Sequence, residues 1–565
     1  MTVGIVGSGP VATAVRDGLT AVNIETRTID VAALDEPNIA VVTGEVGQPR
    51  FERANERALA TDSRWMAVEV GGIGGMPVVE TSVSTFSPET GCFECLSGRV
   101  SANLDRQQRR ESPPTAHTVQ FAGAVAARQI ALYHDGEDVF GTVVTTPFTQ
   151  RDFLPLPNCV CAADRERTIE RDVVDRELTE SLSRAERGLD GLVGIVQEVG
   201  EAESFPVPYY LARACDTAGF SDASAARDAA GVAVDWNRAF MKALGEALER
   251  YCAGIYYDDE FEIAPPEAMA EALSPSAFVT ATDPDPTEPI EWVDGHQLRT
   301  GDVTPLPAEF VYHPPPSRRY RSPVTTGLGL GNDTVEAILA GLYEVIERDA
   351  MMLSWYSSFE PLGLQIEDET HETMVNRARS EGLSVETLLL SQDVDVPVVA
   401  AAVTREEWPR MALGTGANLD VAAAANSALA EALQNWTELR GMGESDAMDA
   451  MGSIGDYAAE PEPASAFVDP GATVPGESVG PETVPDGEAE LDAVLDRLAD
   501  VSLEAYAVRL TTRDVKALGF EAVRTLIPRA QPLTFGSHYF GERARTVPEE
   551  LGFETQLDRA HHPFP

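Results

Sequence analysis

Two stretches of the chain set carboxylates one helical turn apart inside apolar sequence, and a third sets a carboxylate and an amide so, a spacing that a divalent cation can use. In Asn332-Asp-Thr-Val-Glu336, continued through Glu344, Glu347 and Arg348, the three glutamates fall within about 80° of one another at about 100° per residue, so they share one helical face. A second stretch runs Lys242-Ala-Leu-Gly-Glu246-Ala-Leu-Glu249-Arg250, and a third, Ala428 to Gln434, offers Glu431 and Gln434. Clustered carboxylates repel unless cations sit between them, and Mg2+ takes oxygen ligands that it often shares with phosphates. Arginines at the ends of such runs can bind phosphate oxygens directly. A Gly-rich loop, Gly327-Leu-Gly-Leu-Gly331, leads into the first stretch and would present backbone N–H groups and a positive helix end to an anion. In an acidic chain such Glu pairs commonly face solvent, and Glu336 could close a capping box with Asp333. Apolar neighbours on both sides (Leu342, Tyr343, Val345, Ile346; Leu244, Ala247, Leu248) instead predict largely buried helices, in which carboxylates need partners. Four of the six cysteines form two close pairs, Cys92/Cys95 and Cys159/Cys161, which suits a metal better than a disulfide framework.

The glutamate runs closely resemble the YcaO family. The family pattern of Asn, then Glu at +4, +12 and +15 and Arg at +16, is met at Asn332, Glu336, Glu344, Glu347 and Arg348. Its S-x-x-x-E-x-x-E-R motif is met at Glu246, Glu249 and Arg250, with Lys242 in place of the serine. Its A-L-x-E-A-x-Q motif is met at Ala428, Leu429, Glu431 and Gln434, with Ser427 where an arginine often stands. The resemblance covers about residues 191 to 565. It implies an ATP site in which the glutamates hold Mg2+ and the arginines and Asn332 hold nucleotide; Lys242 could supply the missing positive charge. The ending His561-His562-Pro563-Phe564-Pro565 is similar to the P-x-P-x-P tail of azoline-forming members, which implies a tail threaded into the active site, with His562 or the Pro565 carboxylate as a candidate base. The cysteine pairs resemble those of the E1-like (ThiF-type) domain of azoline cyclodehydratases, which implies a structural Zn2+ on Cys92, Cys95, Cys159 and Cys161, although the second pair is C-x-C where C-x-x-C is expected.

By this resemblance the activity is ATP-dependent cyclodehydration of Cys, Ser or Thr residues of a ribosomally made precursor peptide to thiazoline or oxazoline. Backbone thioamidation and a non-catalytic leader-binding scaffold are the alternatives. No winged-helix leader-binding module is evident before the Rossmann-like strand, so leader capture calls for a separate protein; a leader-binding protein or a dehydrogenase is the expected partner, and the chain is expected to form a homodimer.

The elements that must position these residues follow from the wider pattern. The 565 residues exceed one ordinary core. The expected fold class is α/β and α+β: a Rossmann-like E1-type domain over 1–188, then a YcaO-type α+β ATP-binding domain over 189–565 with an acidic, flexible insertion at 441–489. Residues 2–30 read as strand, turn, helix and strand, and Gly7-Ser8-Gly9-Pro10-Val11-Ala12 with Asp30 fits a dinucleotide fingerprint, though tight turns need glycine in any case. A helix is expected at 117–133 and a charged helical link at 164–187. Cys215 and Cys252 read as core residues. The net charge of -50 is spread along the chain, and Lys242 and Lys516 are the two lysines. That composition argues against nucleic acid binding and reads as adaptation to high salt, where self-repulsion is screened. No apolar run of about 18 residues and no basic N-terminal region predict a cytoplasmic protein without a membrane span or secretory signal.

Overall fold

The computed structural model describes residues 1–104, 113–161, 165–536 and 538–564. Pro565 therefore lies outside the described residues. The N-terminal part is a seven-stranded sheet of order β2-β1-β3-β4-β5-β6-β7, built from β1 (Thr2–Val6), β2 (Glu25–Thr28), β3 (Ile39–Glu45), β4 (Trp65–Val70), β5 (Thr81–Phe86), β6 (Thr142–Thr145) and β7 (Thr149–Asp152). Neighbours are parallel from β2 to β4 and antiparallel beyond. Helices α1 (Pro10–Ala21) and α4 (Ala116–His134) cover the face carrying Val3, Ile5 and Val41. Helices α2 (Arg50–Thr61) and α3 (Phe93–Asn103) cover the other, with Ala40, Val42 and Trp65. Burial on both faces explains why the parallel strands are continuously apolar. Gly7 has φ 110°, and a Cβ there would lie 2.4 Å from Thr43 Oγ1, so packing accounts for this glycine. Asp30 accepts from the Ala32 N–H at 3.1 Å and caps a short turn.

The expected helical link is different. Residues 165–177 carry no regular secondary structure and only α5 (Leu178–Glu186) is helical. The reason is tertiary: Arg165 donates to the Ile255 and Leu510 carbonyls, Arg167 to Tyr312 Oη, Thr334 to the Glu170 carbonyl and the Val174 N–H to Asp333. These bonds hold the segment as a strap across the second half.

The second half carries three sheets. Strands β8 (Val196–Glu203), β9 (Tyr209–Ala214) and β10 (Asp228–Val232) form the first, with α6 (Trp236–Ala253) against it. The second runs β11-β12-β20-β21-β14, with β13 beside β12: β11 (Glu262–Ala264), β12 (Ile290–Gln297), β13 (Val303–Pro307), β14 (Leu328–Gly331), β20 (Tyr506–Arg509) and β21 (Glu521–Leu526). After the short α7 (Ala308–Val311), the long α8 (Thr334–Trp355) packs on β14 and β21. The third sheet, order β18-β17-β16-β15-β19, comprises β15 (Leu362–Gln365), β16 (Ser384–Leu389), β17 (Val398–Thr404), β18 (Met411–Ala417) and β19 (Thr473–Pro475). Helix α9 (Glu369–Ser380) flanks it and α10 (Val421–Met442) lies on β17 and β18. The Gly-rich segment expected as an anion-binding loop is thus strand β14. A Cβ on Gly329 would meet the Ala337 carbonyl oxygen at 2.1 Å, so that glycine lets strand and helix touch.

Residues 441–489, expected as an exposed flexible insertion, carry α11 (Glu444–Ala450), α12 (Ser453–Ala459) and α13 (Glu462–Val468). Tyr457, Ala458, Ala464 and Phe467 are buried, because this small set of apolar residues packs onto the end of α8 and the β18 sheet. Helices α14 (Gly487–Asp500), α15 (Arg513–Leu518) and α16 (Arg543–Glu550) complete the chain. Where α3, α6 and α15 meet, Arg99 and Asp514 form an ion pair with no exposure of either side chain. Tyr251 Oη donates to the same carboxylate at 2.7 Å. Cys215 and Cys252 are fully buried beside it, as expected of core residues.

Candidate active site

Helices α8 and α10 bring three glutamates together around one arginine, and α6 lays two more beside them. Arg348 lies 3.5 Å from Glu347 and 4.0 Å from both Glu344 and Glu431. Thr415 of β18 ties two of these helices: its hydroxyl donates to Glu347 at 2.6 Å and its N–H to Glu431 at 2.6 Å. Glu344 accepts from the Gly327 N–H at 2.9 Å. On α6, Glu246 pairs with Arg250 at 2.5 Å and accepts from the Ala230 N–H at 2.6 Å.

Asn332 sits at the mouth of α8. Its Oδ1 accepts from Arg176 at 3.0 Å and from Ser181 at 2.7 Å, and its amide donates to Glu336 at 2.9 Å. Glu336 is exposed and also accepts from the Asn332 N–H, while Asp333 accepts from the Glu336 N–H. Glu336 therefore folds back on Asn332, one residue before the N-cap Asp333 with which it was expected to close a capping box, and it lines the cleft. That cleft, about 620 Å³, has a polar side of Lys242, Glu246, Glu249, Asn332 and Glu336 and an apolar end of Leu178, Met241, Leu330 and Phe520. Gln434 lies one turn along α10 and donates to Glu438 at 3.0 Å.

The electrostatics of this cluster call for a cation. Burial pushes Glu249 up to about 8, with Glu344 and Glu246 adding repulsion. Burial pushes Glu347 up to about 7 against the pull of Arg348, and raises Glu246 and Glu431 as well. Desolvation lowers the Lys242 ammonium, with Glu431 opposing. Glu246, Glu249, Glu347 and Glu431 would favour their charged forms with a divalent cation between them.

Two contributors escaped the sequence reading. Arg524 is buried on β21, donates to the Thr325 and Val324 carbonyls at 2.8 and 2.9 Å, and burial with Arg321 lowers it to about 9. The signal was there, a charge inside the apolar strand Glu521–Leu526. Glu438 extends the acidic row of α10 and accepts from Tyr209 Oη at 2.6 Å; it lies seven residues beyond Glu431, two turns on the same face.

The C-terminal residues reach the same region. His562 is buried, and its Nε2 faces the Thr534 carbonyl at 3.1 Å. A carbonyl only accepts, so this nitrogen carries the proton. Burial, His561 and Arg348 lower His562 to about 3, which makes it a neutral hydrogen-bonding group at neutral pH and a weak base. Phe564 is fully buried against Trp355 and Phe467.

In the N-terminal domain, the sulfurs of Cys92, Cys95, Cys159 and Cys161 lie within 4.8 Å of one another, a group that could hold a metal ion. Three separations are 3.9, 3.5 and 3.4 Å. Thiolates about 2.3 Å from a tetrahedral ion would stand about 3.8 Å apart, so the C-x-C pair fits despite its shorter spacing. Arg513 donates to Cys161 at 3.1 Å. Hydrogen bonds from Cys159, Cys92 and Cys95, with the Arg513 charge, hold Cys161 below the ordinary thiol range.

The family described as YcaO cyclodehydratase, ATP- and Mg2+-binding, matches residues 230–531, more than half of the chain. The chain belongs to the YcaO family. The match takes in all three glutamate helices. An uncharacterized protein of Methanothermobacter thermautotrophicus is 29% identical over 335 residues, covering 56% of this YcaO chain and 85% of its own. Among solved structures, a heterocyclase in complex with substrate and cofactor superposes with TM-score 0.74 at 19% identity, over 100% of this chain and 84% of that one. The heterocyclase TruD gives 0.67 at 19% identity, over 98% and 82%. The likeness spans both the N-terminal sheet and the YcaO part, so the fold of an E1-like domain joined to a YcaO domain holds for the whole chain. Among the described residues no helix is long and apolar enough to cross a membrane.

Proposed function

We propose that this YcaO enzyme converts Cys, Ser or Thr residues of a precursor peptide to azolines at the expense of ATP. The observation that carries the reading is the convergence of Glu344, Glu347 and Glu431 on Arg348, beside a buried C-terminal tail. Glu246, Glu249, Glu344, Glu347 and Glu431 hold Mg2+, and Arg250, Arg348, Asn332 and Lys242 hold the phosphates. Glu336 and Gln434 keep their neighbours in place through the Asn332 and Glu438 contacts. The apolar end of the cleft accepts the base. Mg·ATP supplies a phosphoryl group to carry off the amide oxygen.

The peptide's own thiol or hydroxyl gives up its proton and attacks the preceding carbonyl carbon, and the former carbonyl oxygen would take the γ-phosphoryl group of ATP, with ADP as the leaving group. Loss of phosphate and of the amide proton then leaves the C=N bond of the ring. Arg348 and Arg524 stand where negative charge develops. Of the candidate bases, His562 is better suited to orienting than to accepting a proton. The E1-like part, residues up to about 161, presents the peptide, with a separate leader-binding protein as partner, and the working boundary lies before the strap. The test is mass spectrometry of a Cys-containing precursor incubated with Mg·ATP: loss of one water per ADP formed supports the reading. Gain of sulfur in its place, or ADP release with an unchanged peptide, overturns it.

We propose further that the four cysteines bind one structural Zn2+ per chain. Elemental analysis of protein purified without chelator is expected to give one equivalent of zinc, and Cys92→Ser or Cys95→Ser to lose it, with the nucleotide site intact. A wild-type protein free of zinc refutes the assignment.

A further inference from the structure

The residues before the C-terminus are held chiefly through their main chain. Arg559 stacks its guanidinium 3.6 Å from the Trp355 ring centroid and donates to the Trp355 carbonyl at 2.9 Å. The Trp355 indole donates to the Ala560 carbonyl at 2.9 Å. Trp355 ends α8, the helix that bears Glu344, Glu347 and Arg348. From Glu347 to Trp355 is eight residues, about 12 Å at about 1.5 Å each, so the tail is indexed to the same rigid element as the carboxylate cluster.

The next two carbonyls are taken by a different body. Tyr457 Oη donates to the His561 carbonyl at 2.8 Å, and Ser453 Oγ lies 3.1 Å from the His562 carbonyl. Both residues belong to α12, in the segment that the sequence reads as a flexible insertion. Phe467 of α13 closes an aromatic box with Trp355 and Phe564, at ring separations of 5.3 and 5.9 Å. The box sets how deeply the tail is buried. Apolar packing alone does not set its register, since rings tolerate sliding. The hydroxyls of Ser453 and Tyr457 do, because each meets one half-buried carbonyl at one position along the tail.

We infer that the α12 insertion is a clamp for the C-terminal tail, and that Ser453 and Tyr457 are positioning residues for the peptide chemistry. They fix where the residues beyond His562 enter the site. The inference rests on the azoline reading for its activity arm and on geometry alone for its structural arm.

The test uses the full chain with the volume-conserving substitutions Ser453→Ala and Tyr457→Phe together. Hydrogen exchange at residues 559–564 should accelerate at least about tenfold, as loss of two hydrogen bonds of about 1 kcal/mol each implies. The Kd for Mg·AMPPCP should stay within about twofold, and ring formation on a Cys-containing precursor should fall about tenfold or more through kcat. An unchanged exchange rate overturns the clamp, whatever the product. Faster exchange with wild-type ring formation overturns the positioning role and leaves the bonds merely structural. If the wild-type enzyme forms no ring, the azoline reading fails, and the exchange result still decides the clamp.

Discussion

Glu347→Gln and Glu344→Gln are each expected to lower ATP turnover by at least about a hundredfold at saturating Mg·ATP, with the fold intact. Each substitution keeps the side-chain volume and removes one carboxylate charge from a predicted Mg2+ ligand. Glu347 sits 2.6 Å from the Thr415 hydroxyl and 3.5 Å from Arg348, contacts that a glutamine oxygen can keep. Wild-type ADP release in both variants would end the assignment. The proton inventory gives a second reading. Glu347 and Glu249 are raised to about 7 and 8 in the folded chain, above the ordinary value near 4.5. The empty fold therefore binds these protons more tightly than the unfolded chain does. Its stability from these groups is full below about pH 4.5 and declines as pH rises through about 8. Mg2+ relieves that loss, so the rise in Tm on adding Mg·ATP should grow from pH 6 to pH 8.5. Glu347→Gln should flatten that growth.

Deleting Pro563 to Pro565 is expected to bring ring formation near zero while Mg·ATP affinity stays within a few-fold of wild type. The glutamate helices close without the tail, whereas the tail depends on them through Trp355. Proline's fixed φ lets a short tail follow one path at low entropic cost. The structure adds a qualification, because Phe564 is fully buried between Trp355 and Phe467. Its loss should cost about 3–5 kcal/mol of stability and lower Tm. Phe564→Leu is the companion variant, since it retains most of the buried volume. Normal ring formation by the truncated enzyme would show the tail to be dispensable.

The sequence carried the parts of the site that repeat a helical period. Glu246 and Glu249, Glu344 and Glu347, and Glu431 are legible because one face of a helix repeats at fixed spacing, and apolar flanks mark it as buried. Arg524 was hidden because a single charge in a short strand has no period. The anion loop was misread: Gly-Leu-Gly-Leu-Gly serves equally for a phosphate cradle and for a strand against a helix, and only the 2.1 Å approach at Gly329 decides between them. The 165–177 strap and the α12 clamp were missed for one reason. Their order comes from bonds to distant residues, Asp333 for one and the His561 and His562 carbonyls for the other, and composition carries no trace of a partner a hundred residues away.

The strap also bears on how such an enzyme can be divided between genes. Asp333 caps α8 with one carboxylate oxygen and takes the Val174 N–H on the other, at 2.7 Å. Asn332 has both of its side-chain oxygen's donors, Arg176 and Ser181, from the same upstream run. A fission at the compositional seam near residue 188 would leave the catalytic polypeptide with an unfinished helix start and an unsupported asparagine, to be completed only by its sister product. A self-sufficient catalytic polypeptide has to begin upstream of Arg165, so heredity is free to separate the two modules at one side of the strap and not at the other.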